Sequence, residues 1–452
     1  MRFLLVTSLR KELVKVWVCQ ETSSAGSLLP PVDIASIASA IRQKHHDVKI
    51  ADLRCYKDPL KEYHKELEVF KPEYIVLNIS TTSANYDYEI IANTPDDIKS
   101  ICFGTHAQSV SHECFEKGVD YILIGDPEAA VLNLIENNMN GGSSQGVLTY
   151  DSRRKEPCYW EDLDSMPFPS LDLLTLHKYY APYIKRGNPF TLLLGSRGCH
   201  YSCTYCLYPV FFGNKSRLRS VGNIVAEIKE DYERYGIREF YFLDATFNIT
   251  KKRVESFCNE LLSHNLQISW SCNMRVSPIS IEMLRLMKKA GCNRIFYGVE
   301  DQDLLEDTGK KTTKELTVDA FRRTKEAGIS TVAFTMLFPR QDVDENEYKR
   351  NMLLVLDMLE ADAFQCNIAI PFPGTEMHDK LVESGGMSTD WNLYDPHGEK
   401  LPYKSNGNLM KIRKGIYRGF LISHPIRALK ILTNMNMKSL RSAVITFLKN
   451  NL

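Results

Sequence analysis

No stretch of the 452-residue chain approaches the ~18 consecutive apolar residues of a membrane-spanning helix. The opening MRFLLVTSLRKEL has too short an apolar core, followed too soon by charge, for a secretory leader. Together these absences set the expectation of a cytoplasmic protein. Charge of one sign is lacking too: 56 Lys plus Arg stand against 56 Asp plus Glu, so no global field draws the chain to nucleic acid or to an anionic membrane. Any such partner needs a local patch. No Gly-x-Gly-x-x-Gly follows the first apolar run, which removes the usual dinucleotide fingerprint. Of the 12 cysteines, Cys19, Cys55, Cys102, Cys114, Cys158, Cys258, Cys272, Cys292 and Cys366 are scattered without ligand spacing, and most of them read as small buried hydrophobes. What remains is an ordinary globular composition, 44% hydrophobic and 25% charged, with length for two or three domains at ~150 residues each.

Short aliphatic runs alternate with amphipathic stretches over residues 1–145, the pattern of a parallel sheet covered by helices on both faces. RFLLVTS (2–8), DVKIADL (47–53), YIVLNIS (74–80), SICFGTH (100–106) and DYILIGD (120–126) read as strands. Ile34, Ile37, Ala38 and Ile41 mark a helix after the breaker Pro30-Pro31. Such doubly wound sheets bind ligands at the carboxyl ends of their strands, which here carry Ser80-Thr81-Thr82-Ser83, Gly104-Thr105-His106 and Gly125-Asp126. Residues 146–185, which follow the Gly/Ser-rich stretch 138–144 and carry Pro157, Pro167 and Pro169, read as a linker. A second βα series over 186–385 has strands at 190–196, 239–245, 267–272, 294–300, 330–338 and 364–372, the pattern of a closed or partial (β/α)6 barrel of TIM type. Residues 386–452 form a mixed, basic and amphipathic tail expected to be helical.

Directly after the strand FTLLLGS comes Arg197-Gly198-Cys199-His200-Tyr201-Ser202-Cys203-Thr204-Tyr205-Cys206, a CxxxCxxC loop. Spacing this tight lets one loop wrap several thiolates around a soft metal centre. A structural zinc normally takes four ligands, and His200 is the one local candidate for the fourth. Three cysteines on a four-iron cluster instead leave one iron open, a reactive position.

This loop resembles the signature of the radical SAM superfamily, in which the open iron is chelated by S-adenosylmethionine and electron transfer releases a 5′-deoxyadenosyl radical. Further segments are similar to that family's pattern in the right order: Phe242-Leu243-Asp244-Ala245-Thr246-Phe247, Ser271-Cys272-Asn273-Met274-Arg275, Tyr297-Gly298-Val299-Glu300 and Pro371-Phe372-Pro373-Gly374-Thr375. Asp301 after Glu300, and Leu337-Phe338-Pro339-Arg340 in place of a Gly-rich turn, depart from it. The resemblance implies a 4Fe-4S cluster on Cys199, Cys203 and Cys206, with Tyr205, Asp244, Arg275 and Glu300 at the cofactor. The bland readings are Asp244 as a helix cap, Arg275 as a surface ion-pair partner and Glu300 as a solvated strand-end charge. Tyr201 and Tyr208 are as consistent with shielding the cluster as with touching substrate.

Residues 1–145 resemble the cobalamin-binding domain that precedes the barrel in one large radical SAM group, through Pro30-Pro31, Gly104-Thr105-His106-Ala107 and Gly118-Val119-Asp120-Tyr121-Ile122-Leu123-Ile124-Gly125-Asp126-Pro127-Glu128. Ser80, Thr81, Gly104, Thr105, His106 and Gly125 would then form a shallow rim for the corrin, with His106 read as a packing residue and not as a cobalt ligand. The alternative is a vestigial sheet that binds nothing. The resemblance implies a methyltransferase acting on an unactivated carbon from methylcobalamin, a small-molecule or lipid-like substrate, and an electron donor such as flavodoxin or ferredoxin. A cyclase or rearrangement enzyme without net methylation is the alternative; methylthiolation and a non-enzymatic sensor are weaker. No nucleic-acid partner is expected. The basic tail, Lys411 to Lys449, fits either a helix packed on the barrel or one lying on a membrane surface.

Overall fold

The structure, a computed structural model, describes residues 1–427 apart from 12, 23–26, 153–155, 183, 185–188, 340–343 and 406, and beyond them Leu429 and Leu440. The first part of the chain carries β1 (Arg2–Val6), a hairpin of β2 (Leu13–Val16) and β3 (Cys19–Thr22), then β4 (Asp47–Ala51), β5 (Tyr74–Asn78), β6 (Lys99–Phe103), β7 (Tyr121–Leu123) and β8 (Val147–Leu148). Six of them form one sheet in the order β4-β1-β5-β6-β7-β8, parallel except for β8 at the edge. Counted by chain position, the parallel strands follow the flavodoxin-like 2-1-3-4-5 order, with the ligand crevice expected where the order reverses, between β1 and β5. Successive side chains feed opposite cores: Phe3, Leu5, Val76 and Ile101 on one face, Leu4, Val6, Ile75 and Leu77 on the other. Burial on both faces is why these strands read as continuous apolar runs.

The second series is β9 (Phe190–Leu193), a short ribbon of β10 (Ser196–Arg197) and β11 (Arg217–Leu218), then β12 (Glu239–Phe242), β13 (Ser269–Met274), β14 (Cys292–Gly298), β15 (Ser330–Leu337) and β16 (Ala363–Ile368). Six strands pair in parallel as β16-β15-β14-β13-β12-β9, with β9 and β16 left as edges, so the sheet is an open arc. Its crossover helices 221–234, 251–263, 281–289, 314–326 and 345–359 each start at a cap, Ser220, Thr250, Ser280, Thr313 and Asp344, whose side chain accepts a backbone N–H of the first turn. The expected α/β architecture, a doubly wound sheet followed by a partial (β/α)6 unit, is the one observed.

The hairpin β2–β3 and the ribbon β10–β11 are additions that the apolar pattern did not announce. The carboxyl ends of the two large sheets face one another, with Gln108 Nε2 donating to the carbonyl of Val210 at 2.6 Å. Residues 387–403 lie over the carboxyl ends of the N-terminal sheet: Arg10 pairs with Asp395 at 2.8 Å, Thr82 Oγ1 donates to Tyr394 O at 2.9 Å, and Trp391 Nε1 to Glu113 Oε1 at 2.8 Å. The helix Leu409–Ser423 buries Leu409, Ile412, Ile416 and Phe420 against the barrel, the packed arrangement for this part of the tail. The basic positions Lys430, Lys438, Arg441 and Lys449 lie outside the described residues. No described helix is long and apolar enough to cross a membrane.

Candidate functional site

The three cysteines sit in a loop, residues 198–216, whose mouth is closed by pairing of β10 with β11. Gly198 holds φ at +78°, and a Cβ there would collide with the carbonyl of Lys215, so glycine lets the two sides of the loop meet. Inside, Cys199 N donates to Gly213 O at 3.2 Å and Cys206 N to Cys203 O at 3.1 Å. Thr204 ties the loop to the barrel from both sides, its N–H to Thr308 O at 3.1 Å and its carbonyl accepting from Met377 N at 3.0 Å, just past Pro371–Thr375.

Cys199, Cys203 and Cys206 are free thiols. Burial pushes the Cys199 thiol up and that of Cys206 up to about 12, while the nearby Lys310 acts on both in the opposite sense. Ligation therefore displaces protons. Among the described residues no three His, Cys, Asp or Glu side chains converge on a point for a single ion. His200 is turned outward, its Nδ1 at 3.0 Å from Ser216 Oγ and its ring against Tyr201, so it does not complete a four-ligand zinc set. A four-iron cluster asks for something else, three thiolates each on its own iron, and the loop supplies that donor set.

Asp244 is buried, and both its oxygens are engaged: Gly195 N donates to Oδ2 at 2.9 Å and Ser196 Oγ to Oδ1 at 2.5 Å. It is no helix cap; it ties the end of β12 to the turn that leads into the cysteine loop. Arg275 is no surface ion-pair partner either. It is buried, donates to the carbonyls of Lys310 and Lys311, and its guanidinium lies 3.7 Å over the ring of Tyr201. Glu300 is not solvated: it is buried at φ +57° and accepts from Lys310 Nζ at 2.9 Å. Gly298 makes room for that pair, since a Cβ there would stand 2.9 Å from Glu300 Oε1 and closer still to Lys310 Nζ. Burial, then the Glu300 charge, hold the Tyr205 hydroxyl well above its ordinary range. Tyr205 also packs edge-on to Phe338 at 5.3 Å, and Tyr208 OH donates to Leu243 O at 2.8 Å, a structural bond. A cleft of about 150 Å³ opens beside the loop between Tyr201, Arg275, Gly298 and Lys310. Lys310 was missed in the sequence because Gly309-Lys310-Lys311 looks like any charged turn.

On the N-terminal side the expected open rim is not seen. Ser80, Thr81, Thr105 and His106 are buried and their side chains are taken by protein partners: Ser80 Oγ by Ser83 Oγ at 2.8 Å, Thr105 Oγ1 by Gln20 Nε2 at 2.9 Å, and His106 by Thr81 Oγ1 and Tyr88 OH at 3.2 and 3.0 Å. Gly104 and Gly125 are pinched against Ile79 O and Cys158 O. The physical reason is that the β2–β3 hairpin and residues 387–403 cover these strand ends. Unmet polar atoms lie instead at the β1/β5 switch point: Asp33 Oδ2 accepts from Trp17 N and Asn78 Nδ2, at 3.1 and 3.0 Å. Trp17 Nε1, Asp33 Oδ1 and Asn78 Oδ1 in that group are buried without a protein partner among the described residues. These unmet polar atoms lie at the switch point of the sheet and are as closed to solvent as the strand-end residues. Neither Trp17 nor Asp33 stood out in the sequence.

Comparison with known proteins agrees with this geometry. Residues 193–350 match the Radical SAM superfamily. An uncharacterised methyltransferase of Pyrococcus horikoshii is 29% identical over 88% of this chain and 89% of its own length. The hopanoid C-3 methylase of Methylococcus capsulatus is 22% identical over 86% of this chain and 77% of its own. Among solved structures, the radical S-adenosylmethionine methyltransferase TsrM of Kitasatospora setae, with cobalamin and a [4Fe-4S] cluster bound, superposes with a TM-score of 0.66 at 17% identity, covering 85% of this chain and 75% of that one. This chain therefore carries a radical SAM domain on residues 193–350, set in the fold of a cobalamin-dependent radical SAM methyltransferase.

Proposed function

We propose that this protein is a cobalamin-dependent radical SAM methyltransferase that moves a methyl group to an unactivated carbon of a small-molecule substrate. One observation carries the reading: a three-thiol loop at the carboxyl end of an open parallel arc faces the carboxyl ends of a 2-1-3-4-5 sheet in the same chain. When bound, a 4Fe-4S cluster with S-adenosylmethionine supplies a carbon-centred radical and cobalamin supplies a transferable methyl group, chemistry beyond any side chain.

The chain's residues do the rest. Cys199, Cys203 and Cys206 hold the cluster, with the loop kept in shape by Gly198 and by the Thr204 bonds to the barrel. Arg275 and Lys310 bring positive charge to a site that gains negative charge on each reduction. Tyr205, Glu300 and Arg275 shape the approach to the open position, and Asp244 keeps the base of the loop in register with β12. Trp17, Asp33 and Asn78 at the switch point, with the strand-end residues 80–83 and 104–106 beside them, would line the cobalamin side of the site. In this reading residues 1–145 form the cobalamin unit, 186–385 the radical unit, and an electron donor such as flavodoxin or ferredoxin supplies the reductant.

The test is anaerobic reconstitution with iron, sulfide and cobalamin, followed by mass spectrometry and the visible spectrum of bound corrin. 5′-Deoxyadenosine together with S-adenosylhomocysteine and bound corrin is the expected result. 5′-Deoxyadenosine with bound corrin but no S-adenosylhomocysteine would move the assignment to a cyclase or rearrangement. A protein that takes up no iron, or single variants at Cys199, Cys203 and Cys206 that keep the full cluster absorbance, would refute it.

A further inference from the structure

Four buried charges join the cysteine loop to the N-terminal sheet. Arg197 and Arg217 stand directly opposite each other in the β10–β11 ribbon. Like charges in that position push strands apart, and here both side chains are only 5% exposed, so water does not screen them. Their partners come from the far side of the interface. Glu128 takes both terminal nitrogens of Arg197, at 2.8 and 2.7 Å, and Asp126 lies 3.1 Å from the same guanidinium while also accepting from Arg217. Arg217 reaches further to the carbonyls of Trp160 and Phe212, at 2.9 and 3.1 Å.

Asp126 and Glu128 are themselves rigidly placed. Gly125, at φ +89°, is locked against Cys158, and Pro127 opens the helix Pro127–Glu136, which puts both carboxylates at its N-terminus. Asp126 Oδ2 also accepts from Trp160 N at 2.8 Å. The backbone that carries the acidic pair is therefore held by contacts of its own, and the forked guanidinium of Arg197 matches the Glu128 carboxylate it presents.

We propose that Asp126 and Glu128 are positioning residues for the cluster-binding loop: they neutralise the Arg197–Arg217 cross-strand pair and thereby hold the mouth of loop 198–216 closed, so that the cysteine geometry depends on the docked N-terminal sheet. The clamp stands on the charges alone; its consequence for a cluster rests on the function proposed above.

The test is hydrogen–deuterium exchange on the full-length, metal-free chain. Glu128→Gln keeps the shape of the side chain and removes its charge. Amides of residues 198–216 are expected to exchange at least tenfold faster than in the wild type, those of β1, β5 and β6 to be unchanged, and Glu128→Asp to fall between. Lys215→Ala, which removes an ion pair to Glu161 that is 3.7 Å long and exposed, is the control and should leave the loop unchanged. Should Glu128→Gln not fold, Arg197→Lys, which keeps the charge and loses the fork, is expected to free the same amides. In cluster-loaded protein the EPR signal of the reduced cluster should broaden in Glu128→Gln and sharpen again in Glu128→Asp. Loop exchange within twofold of wild type, or equal acceleration of the loop and β5–β6, overturns the clamp. A wild type that loads no cluster refutes the proposed function and leaves the exchange result to decide the clamp.

Discussion

His106 is a buried titratable residue with a direct consequence for pH stability. Its ring is fully inside, both nitrogens have hydroxyl partners in Thr81 and Tyr88, and Trp391 meets it edge-on at 4.7 Å. Burial first, and then the Lys15 ammonium, push the imidazole down from its ordinary 6.5 to about 3. Between those values the unfolded chain binds a proton that the folded chain does not, so stability is complete above pH ~6.5 and falls on acidification toward the folded value. At ~1.4 kcal/mol per pH unit the loss reaches about 2 kcal/mol at pH 5 and about 3.5 kcal/mol at pH 4. Urea unfolding of the wild type and of His106→Gln at pH 7, 6, 5 and 4 isolates it, because other titrating groups are common to both chains. His106→Gln is expected to start lower at pH 7, having lost the ring's packing, and to gain on the wild type by those amounts as pH falls. A stability difference that does not change with pH would refute the burial argument.

Asp244→Ala strips acceptors from Gly195 N–H and Ser196 Oγ, at ~1–3 kcal/mol for each buried donor left unmet, whereas Asp244→Asn should fold within about 1.5 kcal/mol of wild type; thermal unfolding of both variants checks the order, and equal losses would contradict it. Burial raises the Asp33 carboxyl above its ordinary value, so its favourable contribution is present at low pH and lost as pH rises through the folded value. Asp33→Asn should therefore gain more stability over wild type at pH 8 than at or below pH 3.8, measured by urea unfolding. With both ring nitrogens of His106 engaged by hydroxyls, cob(II)alamin bound to this protein should show no imidazole nitrogen splitting in its EPR spectrum, and such splitting would contradict the placement of His106.

Much of the fold was legible because two-sided burial writes itself into sequence. Leu4, Leu5 and Val6 feed alternate cores, so β1 appears as an unbroken apolar run, and the same holds for β5 and β6. The cysteine loop was legible for a different reason, since ligand spacing within one loop is local. The β2–β3 hairpin was not: it buries Lys15 in a pair with Asp87 at 2.6 Å, and it turns at Trp17, with φ +50°, where no glycine or asparagine marks a turn. The pairing of Arg10 with Asp395 likewise spans most of the chain, and nothing in either local segment points to the other.

The same contrast runs through the candidate site. Cys199, Cys203 and Cys206 were found from one loop, whereas the groups that set their surroundings are joined across the fold. Arg275 donates to the carbonyl of Lys310, Lys310 pairs with Glu300, and Arg197 with Glu128. A buried charge must find its partner or be costly to fold, and in a βα fold the partner comes from whichever loop ends at the same sheet edge. Motif spacing can therefore reveal the ligands of such a site while leaving silent the charges that orient them. Arg275 and Glu300 illustrate this: each reads in isolation as a surface charge, yet each is buried once the turn at Lys310 closes over the carboxyl ends of β13 and β14.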